Sequence, residues 1–240
     1  MGAKRKTRSR ATNSNNIVNI DTYVQKKQHV HILPRNKHQE NYIVKLLDQQ
    51  KSIVFSIGPA GTGKTMLAVQ VAVKKFKEGE IDKIIVTRPA VSADEDLGFL
   101  PGTLEEKMAP WVMPIMAILK EYFNYREIES MIEEGIIEIA PLAYMRGRTF
   151  KNSIIIADEM QNATPNQMKM LLTRLGEGSE MVVTGDLAQA DRLEDNGLLD
   201  FVSRLESNNS NKHLDVVRFE KGDIERHKAV QEVLEVYGDG

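Results

Sequence analysis

Short apolar runs alternate with helix-length amphipathic segments along most of this chain. Apolar residues at helical spacing, including Tyr42, Ile43, Leu46 and Leu47, predict a first helix over 38–50. Strand-length apolar runs then occur at 53–57, 84–86, 136–139, 154–157, 181–183 and, more weakly, 214–217. Several of these runs lack polar alternation, which is typical of parallel strands covered by helices on both faces. The pattern therefore predicts a single α/β domain, with a parallel sheet flanked by helices.

The domain boundaries follow from changes in this pattern. Residues 1–16 are polar and basic, which predicts a disordered basic arm, and residues 17–37 form an N-terminal extension. The α/β domain is expected over 38–237. Methionine and aromatic residues are frequent in 103–134, which predicts a helical insertion packed on the core. A partner-facing surface is the alternative for that insertion.

Composition narrows the class of protein. Of the 240 residues, 41% are apolar and 28% charged, as in ordinary soluble globular proteins. The chain has no cysteine, which excludes disulfides and thiolate metal sites. No apolar stretch reaches the length of a membrane span, and no apolar segment typical of a secretory signal follows the basic N-terminus. We therefore expect a cytoplasmic protein without a membrane partner.

The charge is distributed unevenly. Residues 1–38 carry nine of the 32 basic residues and one acidic residue, Asp21. The remaining 23 basic and 33 acidic residues give positions 39–240 a net charge of −10. A basic arm on an acidic body suggests contact with a polyanion, because lysine and arginine displace counterions from phosphate. A disordered solubilising tail is the alternative.

The most specific motif follows the first apolar run and opens a predicted helix. It fits the Walker A pattern and consists of Gly58, Pro59, Ala60, Gly61, Thr62, Gly63, Lys64 and Thr65, with Met66 next in the helix. The glycines let backbone N–H groups turn toward a phosphate, and the helix N-terminus adds its dipole. Lys64 is expected to contact the β- and γ-phosphates, and the Thr65 hydroxyl to bind Mg²⁺. This motif predicts ATP and Mg²⁺ as ligands.

A second motif ends the apolar run 154–157 with two acidic residues. Asp158 fits the Walker B position, where a carboxylate holds Mg²⁺. Glu159 follows it, in the place of a general base that would polarise the attacking water. The adjacent glutamate favours hydrolysis over nucleotide storage.

A third motif follows the run 181–183. Asp186 and Gln189 are candidates for sensing the γ-phosphate or orienting water, because this strand should end at the same sheet edge. The alternative is that Asp186 only caps the next helical turn.

These motifs together resemble the PhoH-like family of ATPases, which is related to the first RecA-like motor domain of superfamily 1 helicases. The resemblance covers about 34–237 and rests, beyond the Walker A segment, on residues 87–91, 97–102, 145–150, 157–162 and 184–186. It implies a RecA-like P-loop NTPase fold. Asn36 and Gln39 resemble the element that grips adenine, and Gln161 matches the pattern after the Walker B acids.

The resemblance also implies contacts with nucleic acid and with other copies of the chain. Thr87 and Arg88 occupy the place where helicases touch the nucleic-acid backbone, with an ordinary strand-end turn as the alternative. Phosphoryl transfer usually needs an arginine beside the developing charge, and a neighbouring subunit could supply it in a homo-oligomeric, hexameric ring. The candidate arginines are Arg146, Arg148, Arg174 and Arg226, for each of which a surface salt bridge is the alternative.

The function expected from the sequence is thus ATP hydrolysis coupled to RNA or single-stranded DNA in an oligomeric ring. Two alternatives stay open. One is an ATP-gated nucleic-acid-binding scaffold with little turnover, which the presence of Glu159 disfavours. The other is a small-molecule kinase, which would need a lid and an acceptor pocket built from the region 94–134.

Overall fold

The computed structural model of this chain describes residues 30–89, 104–190, 195–208, 211–225 and 228–237. The predicted basic arm, most of the N-terminal extension and Arg226 lie outside these ranges. So does the motif at 97–102.

Six parallel strands form one sheet in the order β3-β2-β4-β5-β1-β6. Their bounds are β1 Ile53–Ile57, β2 Lys83–Arg88, β3 Ile137–Pro141, β4 Ser153–Ala157, β5 Glu180–Gly185 and β6 Leu214–Arg218. Each apolar run that the sequence singled out forms one of these strands.

Seven α-helices accompany the sheet within the described residues. They are α1 Lys37–Leu47, α2 Lys64–Glu78, α3 Leu104–Lys120, α4 Tyr125–Glu133, α5 Pro165–Leu172, α6 Gly197–Glu206 and α7 Lys228–Tyr237. Capping side chains fix where several of these helices begin. The side chain of Asn36 caps α1, and Asn124 and Thr164 form capping boxes at α4 and α5. The predicted helix over 38–50 therefore begins one residue earlier and ends at Leu47.

The core consists of two apolar layers, one on each face of the sheet. Every residue of β1 and β4 is buried, which explains why these runs lack polar alternation. Val54 and Ile156 face the layer that contains α1–α4, whereas Phe55 and Ile155 face the layer that contains α5 and α6. The predicted fold class, a single α/β domain with a parallel sheet between helices, is confirmed.

Helices α3 and α4 occupy the methionine-rich segment that the sequence marked as an insertion. Their inward residues, including Ile115, Leu119 and Ile128, belong to the same buried cluster as α2. Among the described residues, no helix is both long enough and apolar enough to cross a membrane.

The topology determines which loops meet. Because all six strands are parallel, their carboxyl ends share one edge of the sheet. Strand β5 lies between β4 and β1, so the segments that follow these three strands are neighbours. Ligands of open α/β sheets bind at this edge.

Candidate nucleotide site

The segments after β1, β4 and β5 surround a cavity of about 240 Å³. All three sequence motifs contribute to its lining, which comprises Ala60, Gly61, Gly63, Lys64, Thr65, Met66, Asp158, Glu159, Thr184, Gly185, Asp186 and Gln189. The structure therefore brings together the predicted phosphate loop, the two Walker B acids and both candidates from the third motif.

The loop after β1 depends on glycine at defined positions. Gly61 and Gly63 have φ values of 82° and 83°, in the left-handed region that other residues rarely adopt. At Gly58, an added Cβ would lie 2.5 Å from the carbonyl oxygen of Phe219, too close for any side chain. Pro59 accepts a hydrogen bond from the buried Thr62 hydroxyl at 3.0 Å, which closes the turn. Helix α2 starts directly after this loop, so the positive end of the helix dipole faces the cavity.

Lys64 is folded back over this loop. Its Nζ donates hydrogen bonds to the carbonyl oxygens of Gly58 and Pro59, each at 2.6 Å. Burial lowers the pKa of Lys64, and the nearby carboxylates of Asp186, Glu159 and Asp158 oppose that shift. The ammonium group thus lies among three acids, where a bound polyphosphate would meet it.

Two threonines converge on Asp158. The hydroxyl of Thr65 donates to Asp158 Oδ1 at 2.7 Å, and the buried Thr184 hydroxyl donates to the same oxygen. Thr184 was not assigned a role from the sequence. The pairing of the strands brings Thr184 to Asp158. Ala157 of β4 lies opposite Val183 of β5, so the residues that follow them, Asp158 and Thr184, are neighbours.

Glu159 has an unusual backbone conformation. Its φ of 53° and ψ of 39° place it in the left-handed region, which costs a non-glycine residue roughly 1–2 kcal/mol. Its carboxylate accepts a hydrogen bond from Gln161 Nε2 at 2.5 Å. The carbonyl oxygen of the same Gln161 amide accepts from the backbone N–H of Asp186 at 3.1 Å. One buried amide therefore links Glu159 to Asp186.

Asp186 caps the next helical turn, as the alternative interpretation of the sequence predicted, and it also contacts the phosphate loop. One carboxylate oxygen accepts from Ala188 N at 3.0 Å and caps the 3₁₀ turn Leu187–Gln189. The other accepts from Ala60 N of the phosphate loop at 3.2 Å. Asp186 is thereby in position to respond to changes in that loop.

Asn36 and Gln39 lie beside the phosphate loop. Gln39 is buried, donates to Thr62 O at 3.0 Å and accepts from Arg35 N at 2.9 Å. Asn36 Oδ1 accepts from Gln39 N, whereas Asn36 Nδ2 is buried without a hydrogen-bond partner among the described residues. An unsatisfied buried donor at this place suits a ligand that brings an acceptor.

A short segment after β6 closes this side of the loop. Asp223 forms a 2.7 Å contact with His38 Nδ1 and raises the pKa of that histidine through the hydrogen bond. Two residues later, Glu225 N donates to Gly61 O at 3.2 Å. The start of α1 and the segment 219–225 therefore hold the phosphate loop from outside.

The predicted contact of Thr87 with nucleic acid requires correction. The Thr87 side chain is 0% exposed, so a nucleic-acid strand does not reach its hydroxyl in this conformation. Strand β2 is buried on both faces, so Thr87 lies in the core. Arg88, the next residue, is half-buried at the carboxyl edge, and its contact with nucleic acid stays a prediction.

The structure distinguishes among the candidate arginines. Arg148 forms a bidentate pair with Glu138, and Arg174 donates to the carbonyl oxygens of Met170 and Arg148. Arg146 is exposed and makes no ion pair within the described ranges. None of these three lines the cavity. Arg148 and Arg174 are held by these contacts outside the cavity, so neither reaches it in this conformation.

The residues present fit a magnesium nucleotide. In the part of the chain that is described, no group of three or more histidine, cysteine or acidic residues could hold a metal alone. Mg²⁺ typically uses one or two protein oxygens together with substrate phosphates and water. The oxygens of Thr65 and Asp158 supply that kind of partial site next to Lys64.

Comparison with known proteins identifies relatives over most of the chain. The family model described as "PhoH-like protein" matches residues 31–238. A PhoH-like protein of Bacillus subtilis is 46% identical over 201 residues, covering 83% of this chain and 61% of that protein. Protein PhoH of Escherichia coli is 42% identical over 210 residues, covering 86% of this chain and 58% of that protein. The chain thus spans about three fifths of the length of these curated relatives.

Solved structures with a similar arrangement are more distant. The Sulfolobus solfataricus SWI2/SNF2 ATPase core in complex with dsDNA is 16% identical, with a TM-score of 0.47 over 82% of this chain and 47% of that one. The Pif1 helicase of Candida albicans is also 16% identical, with a TM-score of 0.42 over 87% of this chain and 44% of that one.

Proposed function

The chain belongs to the PhoH-like protein family and has a P-loop NTPase fold, and from this premise we propose that it is a Mg²⁺-dependent ATPase coupled to RNA or single-stranded DNA. The observation that carries the proposal is the meeting of Lys64, Thr65, Asp158 and Glu159 around one cavity. We expect it to act in the cytoplasm as a homo-oligomeric ring, most simply a hexamer.

Several residues of the site would bind the phosphates and Mg²⁺. Lys64 would exchange its loop carbonyls for the β- and γ-phosphate oxygens, a favourable exchange for an ammonium group. Thr65 and Asp158 would hold Mg²⁺, which when bound neutralises charge that develops on the phosphates. The loop residues from Gly58 to Met66 would surround the phosphates.

Glu159 would act as the general base. It would accept the proton of a water that attacks the γ-phosphorus in line, while the bond to the leaving β-phosphate oxygen breaks. Gln161 holds this carboxylate, so Gln161 would position the base and link it to Asp186. Asp186 and Gln189 would sense the γ-phosphate from the third strand end.

Asn36 and Gln39 would define the adenine side. The unpaired Nδ2 of Asn36 would donate to an acceptor on the base. Gln39 would hold the phosphate loop against α1 through its hydrogen bond to Thr62 O. Adenine and guanine present different donor and acceptor edges, so we expect a preference for ATP over GTP.

Steady-state hydrolysis tests the proposal. ATP turnover should be measured with and without single-stranded RNA and DNA, beside a Glu159→Gln variant that keeps the side-chain shape but cannot accept the proton. We expect turnover that one polymer stimulates and that the variant loses by a factor of about 10²–10⁴. Tight ATP binding without turnover under any condition would reject the motor and leave an ATP-gated scaffold.

A further inference from the structure

We propose that Arg88, Tyr144 and Arg146 form a stacking platform for single-stranded nucleic acid at the β3 end of the carboxyl edge. The proposal rests on the nucleic-acid-coupled function above and adds the place and the mode of binding. An exposed tyrosine ring would stack on a base, and the two arginines would contact flanking phosphates.

The topology brings the three residues together. Arg88 ends β2 and lies opposite Pro141, which ends β3, in the parallel register. The 3₁₀ turn Leu142–Met145 follows at once and carries Tyr144, with Arg146 directly after it. The stacking platform therefore lies on the same edge as the nucleotide cavity, with the end of β3 two strand spacings, or about 10 Å, from the end of β4 that carries Asp158.

The base of the platform is fixed by packing. Leu142 and Met145, on either side of Tyr144, are buried in the layer beneath α5. Arg148 is held by Glu138 and places its guanidinium 4.7 Å from the Phe150 ring centre. A ring presented from such an anchored turn loses little freedom when a base stacks on it, which favours binding.

Charge distinguishes Tyr144 from another exposed tyrosine of similar accessibility. Tyr144 is 56% exposed and Tyr125 is 58% exposed. Tyr125 hydrogen-bonds to Glu129, and Lys120 Nζ lies 5.7 Å from the centre of its ring, so this ring already has charged partners. Tyr144 instead has Arg146 two positions along the chain. A nucleic-acid strand that stacks on the Tyr144 ring would therefore find a guanidinium for an adjoining phosphate.

The platform also has a direct connection to the catalytic residues. The carbonyl oxygen of Thr87 accepts a hydrogen bond from the backbone N–H of Asp158 at 2.8 Å. A nucleic-acid strand bound by Arg88 would therefore lie one residue along the chain from Thr87, whose carbonyl oxygen positions the backbone of Asp158. This contact provides a route by which nucleic acid would stimulate turnover.

Fluorescence anisotropy with labelled oligo(U) and oligo(dT) of about 12 nucleotides tests the platform. We expect Tyr144→Ala to raise Kd about 5- to 150-fold, the range for loss of one stacked base. Tyr144→Phe keeps the ring and should stay within about twofold of the unmodified chain. Tyr125→Ala is the matched control and should bind unchanged. Arg146→Ala should reduce the slope of log K against log salt by roughly 0.7, one phosphate contact on a single strand.

The outcomes separate this inference from the proposed function. If the unmodified chain binds neither oligonucleotide, the nucleic-acid-coupled function fails and the platform with it. If that chain binds and Tyr144→Ala binds equally well, the platform alone is wrong. If Arg146→Ala abolishes turnover without oligonucleotide and leaves binding intact, Arg146 serves a neighbour's nucleotide site instead, which overturns its assignment here. Thermal melting of each variant shows that the fold is retained.

Discussion

Asp158 receives hydrogen bonds from two threonine hydroxyls that come from different parts of the chain. Thr65 belongs to the phosphate loop and Thr184 to β5, and both donate to the same carboxylate oxygen. When Mg²⁺ is bound, the Thr65 hydroxyl would turn to the metal, which leaves Thr184 as the group that orients Asp158. Mutation of a residue that orients a metal-binding group typically lowers metal affinity or activity by about 10- to 100-fold.

Replacement of Thr184 by valine tests this role. Valine keeps the buried volume and removes the hydroxyl, so Asp158 loses its orientation. We expect the Mg²⁺ concentration for half-maximal turnover to rise about 10-fold, measured by titrating Mg²⁺ at saturating ATP. Ser207→Ala, which removes an exposed hydroxyl that donates to Ser203 O at the end of α6, is the control. An unchanged Mg²⁺ dependence in Thr184→Val would contradict the role.

The residues of the site differ in how far the sequence could reveal them. Lys64, Thr65 and Asp158 were predicted because their roles depend on local spacing after an apolar strand. Thr184 was missed because its role depends on β5 lying next to β4, and neighbours in a sheet are not visible in one sequence. The burial of Thr87 was missed for a related reason, since a run buried on both faces hides which side each residue faces.

At the scale of elements, the end of β6 and the phosphate loop form a closely packed pair. Gly58 adjoins Phe219, and Phe219 N donates to Ile57 O at 2.7 Å. The Phe219 ring also packs edge-on against Tyr42 of α1. Three elements thus meet behind the loop, and a glycine without a side chain lets them do so.

A single methyl group added at Gly58 should therefore push the phosphate loop away from Phe219. In Gly58→Ala, the new Cβ would meet backbone atoms of Phe219 at 2.5 and 2.9 Å, and backbone cannot move aside cheaply. We expect the free energy of unfolding to fall by about 1–3 kcal/mol more than in Gly79→Ala, and ATP affinity to fall as well. Chemical denaturation and nucleotide titration measure the two effects.

Gly79→Ala is a matched control for that change. Gly79 also has a positive φ, of 75°, but an added Cβ there meets nothing within 4 Å. The control therefore carries the backbone cost of alanine in the left-handed region without the collision. Equal losses in the two variants would show that the contact with Phe219 is not limiting.

The elements themselves were largely predictable, and their arrangement was only partly so. Strands β1, β4 and β5 appear as apolar runs because helices cover both of their faces. The strand order, and the position of β6 beside β1 where Phe219 reaches Gly58, depend on contacts between residues about 160 positions apart. Such pairings leave no trace in local spacing.

At the scale of the whole molecule, the described residues that line the site provide one positively charged side chain. Among the residues that line the cavity, Lys64 is the basic one, and Arg148 and Arg174 are held by contacts within their own region. Phosphoryl transfer usually uses an additional arginine, worth 10³–10⁵ in rate. A neighbouring copy in a ring would supply it through a head-to-tail interface.

Mixing two inactive variants distinguishes supply by a neighbour from supply within one copy. Each of Arg146, Arg148, Arg174 and Arg226 would be replaced by alanine, and a variant that is inactive alone would be combined in equal amounts with Glu159→Gln after separate purification and exchange of subunits. In a mixed ring, half of the copies keep Glu159 and half of their neighbours keep the arginine, so about a quarter of the sites become complete. We expect that mixture to recover about a quarter of the unmodified ATP turnover, and native mass spectrometry should show a ring whose protomers have the 27.1 kDa mass of this chain. If the mixture stays inactive although native mass spectrometry shows mixed rings, a neighbour does not supply the arginine, and that arginine acts within its own copy. If none of the four alanine variants is inactive alone, none of these arginines is needed.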